Sequence, residues 1–480
     1  MQIKQGPNRP FLLAVGSHWV SLTGLALALT ALISWMFVLP VQLRGHAGNP
    51  YIGILIFIAI PVIFFAGLGM IPLGIFLGRR RIKRGMEQAI TEPKLALRRL
   101  ALFLGLATLV NLIVGTQLTY RAVEHMESVQ FCGQTCHVMT PEFSAFQSSP
   151  HSRLQCVDCH VAPGVKGWVA SKAAGTRQLM GVLLNNYPRP IASALESDKL
   201  VPSSQTCEQC HWPDMFSGAR LRVKLKYADD EANSESQTVL TMLIGGNKVR
   251  GIHGSHFGNG AKIRFAAADR KRQSIPWVEY ANAVTGQKRE YLADDTPRES
   301  VKDLPIHEMQ CVDCHNRPTH AFELPERGVD KALALGEVPV SLPYFKRQAV
   351  QILKASYASN AEASAKIPAA LTAYYRQNHP ALFDQRSREI EGAGAVLASI
   401  YNRNVFPDLK VTWGTYPDNK GHTDFPGCFR CHDERKQTGG SQTLTQDCSA
   451  CHEMLAMEET SPKILETLGL ADRLKEMRKR

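Results

Sequence analysis

The chain has 480 residues, long enough for a membrane anchor together with one large or two medium-sized globular units. Its formal net charge of +12 favours anionic partners. No segment combines clustered basic residues with a nucleic-acid-binding motif, so nucleic acid is not a predicted partner. The 12 cysteines and 16 histidines carry the clearest indications of function.

Three apolar stretches fall within the first 120 residues, at 17–40, 52–78 and 100–119. Each is long enough to cross a bilayer, and spanning helices tolerate the two prolines inside the second stretch. A buried core helix is the alternative for any one stretch, but it explains three in succession poorly. The sequence therefore predicts a lipid-embedded anchor of three transmembrane helices over residues 1–120.

The basic residues around these stretches predict an orientation. The loop between the first two stretches contains only Arg44. The loop before the third is rich in basic residues, namely Arg79, Arg80, Arg81, Lys83, Arg84, Lys94, Arg98 and Arg99. The positive-inside rule then places the amino terminus in the cytoplasm and everything after Tyr120 on the opposite side. We expect an anchor in the cytoplasmic (inner) membrane with the remainder of the chain in the periplasm.

All the cysteines fall into six pairs, and each second cysteine is followed by a histidine. Five pairs enclose two residues, and the first encloses three. Such motifs attach haem c through two thioethers and supply an iron ligand from the histidine. Zinc sites do not require a histidine after every pair, and six disulfides across so short a loop would be strained. The motifs are Cys132/Cys136-His137, Cys156/Cys159-His160, Cys207/Cys210-His211, Cys311/Cys314-His315, Cys428/Cys431-His432 and Cys448/Cys451-His452.

Six covalent c-type haems would bring about twelve propionates, which nearly balance the basic excess of the chain. Beyond the anchor we predict a haem domain at 121–215, a β-rich insertion at 216–305 and a second haem domain at 306–480. Alternating apolar and basic residues at 220–227 are typical of a strand, and apolar residues at helical spacing predict helices within 343–405. The predicted fold is an α-helical anchor plus a loop-rich, mainly α multihaem domain with a small antiparallel β insertion.

Eight further histidines follow the third apolar stretch, enough to give every haem a second axial ligand, which favours electron transfer over chemistry at iron. The leading candidates lie close to a motif or to the predicted sheet turn: His151, His320, His422, and His253 or His256. His125, His307 and His379 are the remaining three. Met139, two residues after His137, is an alternative ligand at the first haem, where a thioether would raise the reduction potential.

The segments FCGQTCHVMTPE and SPHSRLQCVDCHVAPG resemble the NapC/NirT/NrfH family of membrane-anchored quinol dehydrogenases. SKAAGTRQ, TCEQCHWP, GIHGSH, CVDCHNRPTH and GHTDFPGCFRCHD resemble its larger, three-span inner-membrane members of the ImcH type. The resemblance implies quinol oxidation near the first haem, with Met139 as an axial ligand and His151 as a distal ligand to another haem. It also implies a lysine at the quinol site, which Lys172 matches. No acidic partner follows in SKAAGTRQLMG, and the first motif carries an extra residue.

Residues 164–184 predict an amphipathic or interfacial helix. Its polar candidates for contacting quinone oxygens are Lys172, Arg177 and Gln178, and the alternative role for them is binding lipid headgroups. In a regular helix the side chains of Lys172 and Arg177 leave the axis about 140° apart. A single site using both therefore needs a bend or a second element.

The leading functional prediction is a quinol dehydrogenase of the quinol:cytochrome c oxidoreductase type. It would take electrons from menaquinol or ubiquinol in the membrane quinone pool and pass them to periplasmic cytochromes or reductases. One alternative is an electron-transfer subunit of a larger respiratory or photosynthetic complex. Another is a terminal multihaem reductase, which the many histidines and the lack of a Cys-x-x-Cys-Lys motif disfavour.

Overall fold

The computed structural model divides the chain into two compact units. The first comprises Met1–His137 with Ala174–Leu184, and the second comprises Val138–Ala173 with Asn185–Arg480. The residues that the structure describes are 18–43, 60–83, 93–135, 137–197, 200–212, 218–246, 249–438 and 442–472.

Three long helices form most of the first unit: α1 (Trp19–Leu43), α2 (Ile60–Lys83) and α3 (Pro93–Glu127). Two of them contain stretches long and apolar enough to cross a membrane, Ile60–Arg80 and Leu100–Glu127. The comparable stretch of α1 is shorter within the described side chains, Trp19–Ser34. Two spans are thus supported by length and composition, and the first of the three predicted spans stays a prediction.

Close backbone approach joins α1 to α2. A Cβ atom added at Gly74 would lie 2.3 Å from the backbone nitrogen of Ser21, so only glycine fits at this crossing. Small residues of this kind let helices pack tightly where lipid removes the hydrophobic driving force. The buried amide of Asn111 in α3 also donates to the Thr30 hydroxyl of α1 at 3.2 Å. The anchor helices are therefore held by a steric match and an interhelical hydrogen bond.

The motifs of the second unit lie among short helices and turns. Helix α6 (Gly164–Leu183) contributes residues to both units. The shorter helices are α4 (Thr140–Gln147), α5 (Cys156–His160), α6 (Gly164–Leu183), α7 (Ile252–His256), α8 (Arg298–Val301), α9 (Cys311–Cys314) and, near the carboxyl terminus, α14 (Lys463–Thr467).

A helical core without motif cysteines lies between the fourth and fifth motifs. It consists of α10 (Pro325–Ala334), α11 (Phe345–Leu353), α12 (Asn360–Asn378) and α13 (Pro380–Asn404). Large apolar side chains such as Phe345, Leu371, Tyr375 and Leu397 are completely buried there. The helices predicted within 343–405 are thus confirmed.

The strands form two antiparallel sheets, ordered β1-β2-β8 and β6-β3-β4-β5-β7. The strand predicted at 220–227 is confirmed as β1. The prediction of one small sheet within 216–305 is wrong, because three strands, β6, β7 and β8, come from outside that range. These strands pair with the edges of the two sheets and satisfy their backbone hydrogen bonds, and such long-range pairing leaves no signal in the local sequence. The strands are β1 (Ala219–Tyr227), β2 (Glu235–Leu243), β3 (Ala261–Ala266), β4 (Trp277–Asn282), β5 (Lys288–Ala293), β6 (Ile306–Glu308), β7 (Lys436–Gln437) and β8 (His452–Glu459).

Candidate haem sites

Each motif is numbered here as a site, from site 1 (Cys132) to site 6 (Cys448). Sites 2 and 4 occupy the short helices α5 and α9. Sites 3, 5 and 6 occupy single 3₁₀ turns, each followed directly by the second cysteine. One turn of helix places two cysteines three residues apart on the same face and leaves the next histidine directly after them. No disulfide joins the eleven cysteines of the described residues, so the local geometry suits two thioether bonds to one porphyrin.

The motif cysteines differ in how far the protein covers them. Three of them are exposed, and the others among the described residues are half-buried; the exposed ones are Cys210, Cys428 and Cys448.

Cys210 is the one second cysteine of a motif that is exposed among the described residues. Like Cys431 and Cys451 it directly follows a 3₁₀ turn, and its backbone nitrogen donates to the Cys207 carbonyl at 3.2 Å. The physical reason for its exposure is that this end of the site 3 loop lies at the surface, where the next residues, His211 and Trp212, are exposed as well. Protein packing therefore does not enclose Cys210, and its predicted bond to haem depends on the motif spacing alone.

Sites 2 and 4 share a feature that the sequence analysis missed. Both motifs begin with glutamine and carry aspartate before the second cysteine, as QCVDCH. The Asp158 carboxylate accepts from the backbone nitrogen of Gln155 at 2.8 Å, and Asp313 accepts from Gln310 at the same distance. These reciprocal caps satisfy donors at the first turn of each motif helix. The hexapeptide QCVDCH, which occurs twice in the sequence, could have revealed this shared cap.

Five motif histidines each face one other histidine across a similar gap. Each pair joins a motif histidine to one of the predicted distal candidates, including both His253 and His256. The ring centroids lie 5.9 Å apart for His151 and His211, 6.1 Å for His160 and His320, 6.3 Å for His253 and His315, 5.9 Å for His256 and His432, and 6.1 Å for His422 and His452.

This spacing fits a metal ion between two imidazoles, since two metal–nitrogen bonds of about 2 Å plus half a ring on either side add up to roughly 6 Å. Ordinary aromatic pairs also have centroids about 4.5–7 Å apart, so distance alone does not decide. The identity of the neighbouring ring separates the two cases, because each of the five pairs includes a motif histidine. The other candidates contact aromatic residues outside the motifs: His125 lies against Phe131, His307 against Phe265, and His379 against tyrosines such as Tyr375.

Hydrogen bonds fix the orientation of both rings of the pair at site 5. The Nδ1 atom of His256 donates to the Ile252 carbonyl at 2.6 Å, and that of His432 donates to the Thr445 carbonyl at 3.0 Å. A histidine that donates through Nδ1 keeps Nε2 available for a metal. The donor sets therefore fit axial ligation of haem iron.

Burial also favours the form of histidine that binds metals. It is the main cause of a lowered pKa in seven of the ten paired histidines, so their neutral imidazoles are stabilised relative to the imidazolium form. These seven are His160, His253, His256, His315, His320, His422 and His432.

A buried ion pair supports the distal histidine of site 2. The guanidinium of Arg317 lies 3.2 Å from the Glu142 carboxylate, and its Nε donates to the His320 carbonyl at 2.8 Å. Nδ1 of His320 donates to the Glu142 carbonyl at 3.0 Å and lies 3.3 Å from the Glu142 carboxylate. The ring of His320 is thus held by a charged pair that sequence reasoning did not identify.

Buried arginine links the motif loops of sites 4 and 5. Arg430 lies between the cysteines of site 5 and donates to the carbonyls of Gly427, Arg272 and Asp313. Asp313 lies between the cysteines of site 4, and its carboxylate pairs with Arg272 at 2.6 Å. The two loops are therefore fixed to each other by charge-assisted hydrogen bonds.

Sites 2 to 6 neighbour one another in sequence order. Burial raises the pKa of the thiols of Cys159, Cys311, Cys314 and Cys451, and the electrostatic influence of a cysteine at the adjacent site adds to this effect. The adjacent cysteine is Cys207 for Cys159 and Cys311, and Cys428 for Cys314 and Cys451. The series begins at site 2 and ends at site 6 within the second unit.

Site 1 is described in part. Cys132 lies in a π-helical turn, Phe131–Thr135, and Met139 ends the 3₁₀ turn that starts at His137. Cys136 and the side chain of His137 lie outside the described residues. The ligation of the first haem by Met139 accordingly stays a prediction.

The three predicted quinol contacts lie on one helix, α6. Nζ of Lys172 lies 5.2 Å from the centre of the Trp168 ring, a cation–π contact. Arg177 and Gln178 are exposed. The helix extends from Gly164 to Leu183 without interruption.

Paired cysteines followed by histidine, with a second imidazole opposite five of those histidines, define a membrane-anchored multihaem cytochrome of the c type. A family model for the N-terminal region of the NapC/NirT cytochrome c family matches residues 96–241. The cytochrome c-type protein ImcH of Geobacter sulfurreducens is 37% identical over 449 residues, covering 92% of this chain and 88% of ImcH.

The cytochrome c-type protein NrfH of Wolinella succinogenes is 26% identical over 94 residues, covering 19% of this chain and 52% of NrfH. No solved structure matches the chain. The chain belongs to the NapC/NirT cytochrome c family and is similar to ImcH over most of its length, as its motifs predicted. It therefore carries covalently bound haem c and acts in electron transport.

Proposed function

We propose that this cytochrome oxidises quinol at the membrane surface and passes the electrons singly through six covalent haems to periplasmic redox proteins. The five histidine pairs carry the proposal, because iron held between two imidazoles has no open position and suits electron transfer rather than chemistry at the metal. Menaquinol is the expected substrate and ubiquinol is the alternative. The resemblance to quinol dehydrogenases of the family supports this choice.

Each motif histidine is proposed to bind iron on one face, and the histidine opposite its ring is proposed to bind on the other. Site 1 would use His137 with Met139. Bound haem c would supply the one-electron carriers. The assignments for the other sites are His160 with His320, His211 with His151, His315 with His253, His432 with His256, and His452 with His422.

Residues of the chain would keep the haems in an arrangement that permits electron transfer from one site to the next. Hydrogen bonds at Nδ1 hold the imidazoles of His256, His320 and His432 in place, and burial lowers the pKa of all three and so favours their neutral form. Direct contacts between sites 4 and 5, through Arg430 and the Asp313 carbonyl, and between sites 5 and 6, through the stacked rings of Phe429 and His422, support a continuous path within the second unit. Each quinol would release two electrons into this path, and its two protons would leave to the periplasm.

Lys172 is the proposed hydrogen-bond donor to a quinone oxygen. Its contact with Trp168 holds an ammonium group beside an aromatic surface that a quinone ring could stack on. Arg177 and Gln178 are proposed as secondary contacts with the quinone or with lipid headgroups. The basic residues Arg79 and Arg80 at the end of α2 support a cytoplasmic position for that end, and hence a periplasmic haem domain.

An electron-transfer subunit of a larger complex is the second candidate. The segment SKAAGTRQLMG departs from the family pattern, in which an acidic residue serves the quinol site, and this departure in sequence favours a chain whose quinol site lies on a partner. A terminal reductase is disfavoured, since it needs an iron with an open position and five of the six sites have two histidines available.

Stopped-flow reduction of the lipid-reconstituted protein by a menaquinol analogue tests the proposal, with the haem α-band as the signal. We expect rapid reduction of most haem absorbance and a loss of at least tenfold in rate for Lys172→Ala, with the haem content unchanged. Lys166→Ala is the matched control, since Lys166 is an exposed lysine of the same helix.

If quinol fails to reduce the wild-type protein while dithionite reduces every haem, the chain is a relay that needs a quinol-oxidising partner. If quinol reduction is equally fast in both lysine variants, the quinol site does not use Lys172.

A further inference from the structure

One face of the three-stranded sheet is strongly basic. Along β1 the exposed residues Arg220, Arg222, Lys224 and Lys226 alternate with half-buried apolar residues. The apolar residues of the sheet pack on the opposite face, where Val239 and Ala456 are buried against Leu465 of α14. The alternation therefore separates a core face from a cationic face.

Site 6 lies on the cationic face. Arg220 is paired with Met242 of β2, and Met242 is paired with His452, the first residue of β8 and the motif histidine of site 6. Directly paired residues of antiparallel strands point to the same side of the sheet. Arg220 and His452 thus share a face at a separation of two strands, roughly 10 Å.

Two residues further along β1, a second set of paired residues also places an arginine and a residue of β8 on the cationic face. Arg222 is paired with Leu240, and Leu240 is paired with Met454, which is 41% exposed. Lys224 extends towards the other histidine of site 6, since its Nζ lies 3.3 Å from the hydroxyl of Thr423, the residue after His422. Cations and one exposed apolar side chain therefore surround the two histidines of site 6.

These cations are mostly without acidic partners. Lys226 pairs with Glu458 at 2.8 Å. Within the part of the chain that the structure describes, no carboxylate lies within 4 Å of Arg220 or Arg222. Burial lowers the pKa of Lys224, and the neighbouring Asp424 carboxylate opposes this effect. A partner with negative charge would find complementary cations here, above all the two arginines.

Site 6 also ends the series of sites in the second unit. The ring of His422 stacks on Phe429, which lies between the cysteines of site 5, with centroids 4.3 Å apart, and Arg430 of site 5 donates to the Asp313 carbonyl of site 4. Electrons that enter the series from the direction of site 1 would leave it at this end. The cationic face is therefore located where an electron acceptor has to approach.

We propose that Arg220, Arg222, Lys224 and Met454 form the docking surface for the electron acceptor, a soluble redox protein whose exposed cofactor is surrounded by acidic residues. The inference rests on the proposed electron-transfer role of site 6. One electron passes in each encounter: the cytochrome loses it and the acceptor gains it, with no bond or proton transferred. Charge complementarity would give fast, weak association, as suits a transient electron-transfer complex.

Lysine and arginine on an edge strand also protect a sheet against pairing with other chains. This alternative makes a different prediction for charge reversal, because glutamate protects an edge as well as arginine does. The double variant Arg220→Glu/Arg222→Glu therefore tests docking in particular. The double variant Lys302→Glu/Arg388→Glu is the matched control, since it reverses two exposed charges outside the sheet.

The test uses the full-length, haem-loaded protein in lipid nanodiscs, reduced with dithionite so that quinol oxidation is not needed. The first readout is binding of an acidic monohaem cytochrome c by surface plasmon resonance. We expect the Arg220/Arg222 variant to bind about tenfold more weakly at low salt, and wild-type binding to weaken as salt is added. The control variant should bind as the wild type does.

The second readout is oxidation by small charged reagents. The Arg220/Arg222 variant should react several-fold more slowly with anionic ferricyanide and faster with cationic tris(phenanthroline)cobalt(III). Equal behaviour of the two double variants in both assays would overturn the proposal. Unchanged binding with a large shift in one haem potential would also overturn it, because the arginines would then serve the haem propionates. Failure of quinol reduction alone would affect only the proposed function.

Discussion

The ion pair at the distal histidine of site 2 leads to a quantitative prediction. Glu142 and Arg317 are both buried, and the Glu142 carboxylate lies 3.3 Å from Nδ1 of His320. A nearby negative charge favours the oxidised iron, which carries one more positive charge than the reduced iron. Glu142→Gln should therefore raise the reduction potential of the haem at site 2.

The geometry gives the size of the effect. Adding the imidazole ring and one metal–nitrogen bond to the distance from Nδ1 places the Glu142 carboxylate roughly 7 Å from the iron. At an effective dielectric constant of about 20, one charge at that distance is worth about 2.4 kcal/mol. For a one-electron couple this corresponds to about 100 mV. Arg317→Gln should shift the potential in the opposite direction.

Spectroelectrochemical titration with low-temperature EPR measures the potential of each haem. The double variant Glu142→Gln/Arg317→Gln is the internal control, since it removes both charges and should return the potential close to the wild-type value. It also avoids leaving one buried charge unpaired, which costs about 3–5 kcal/mol of folding free energy. A shift below about 20 mV in Glu142→Gln, with all haems attached, would refute the electrostatic reasoning.

Three further predictions concern other parts of the chain. Gly254→Ala would place a Cβ 2.1 Å from the Val249 carbonyl oxygen and displace α7, which carries the proposed distal ligands His253 and His256. Two haems should therefore become high-spin by EPR, while the pyridine haemochrome assay finds full haem content. Burial opposes ionisation of Glu279, but hydrogen bonds from two basic side chains outweigh it and lower the pKa, so Glu279→Gln should cost about 1–3 kcal/mol in urea unfolding at pH 7. That cost should shrink as the pH falls below the usual value of 4.5 and through the lowered pKa of the folded state, and a cost independent of pH would contradict the assignment. Gly74→Leu should separate α1 from α2 by collision with Ser21 and lower the melting temperature in nanodiscs, whereas an unchanged melting temperature would argue against that packing.

Local patterns in the sequence were sufficient for the motifs, the strand at 220–227 and the helices within 343–405. They were also sufficient to select His151, His320 and His422 as histidines worth pairing. In each case neighbouring residues carry the signal, through periodicity or a fixed spacing. The family was recognisable for the same reason, because its motifs are contiguous.

Burial and long-range contacts could not be predicted in this way. The motif spacing gives no indication that Cys210 is exposed while Cys207 is half-buried. His320 faces His160 across 160 positions of the chain, and β8 pairs with β2 although more than 200 residues separate them. The residues next to one member of such a contact carry no information about the other member, because the contact depends on the path of all the intervening chain.

Helix α7 has a consequence for how this protein could change over evolutionary time. His253 and His256 lie within five residues of backbone and face the motif histidines of two different sites. Their relative position is set by covalent geometry rather than by side-chain packing, so substitutions elsewhere hardly alter it. A single inserted residue between them, however, would rotate one histidine by about 100° relative to the other. The link between sites 4 and 5 can therefore survive many replacements outside α7 but no change in length between its two histidines.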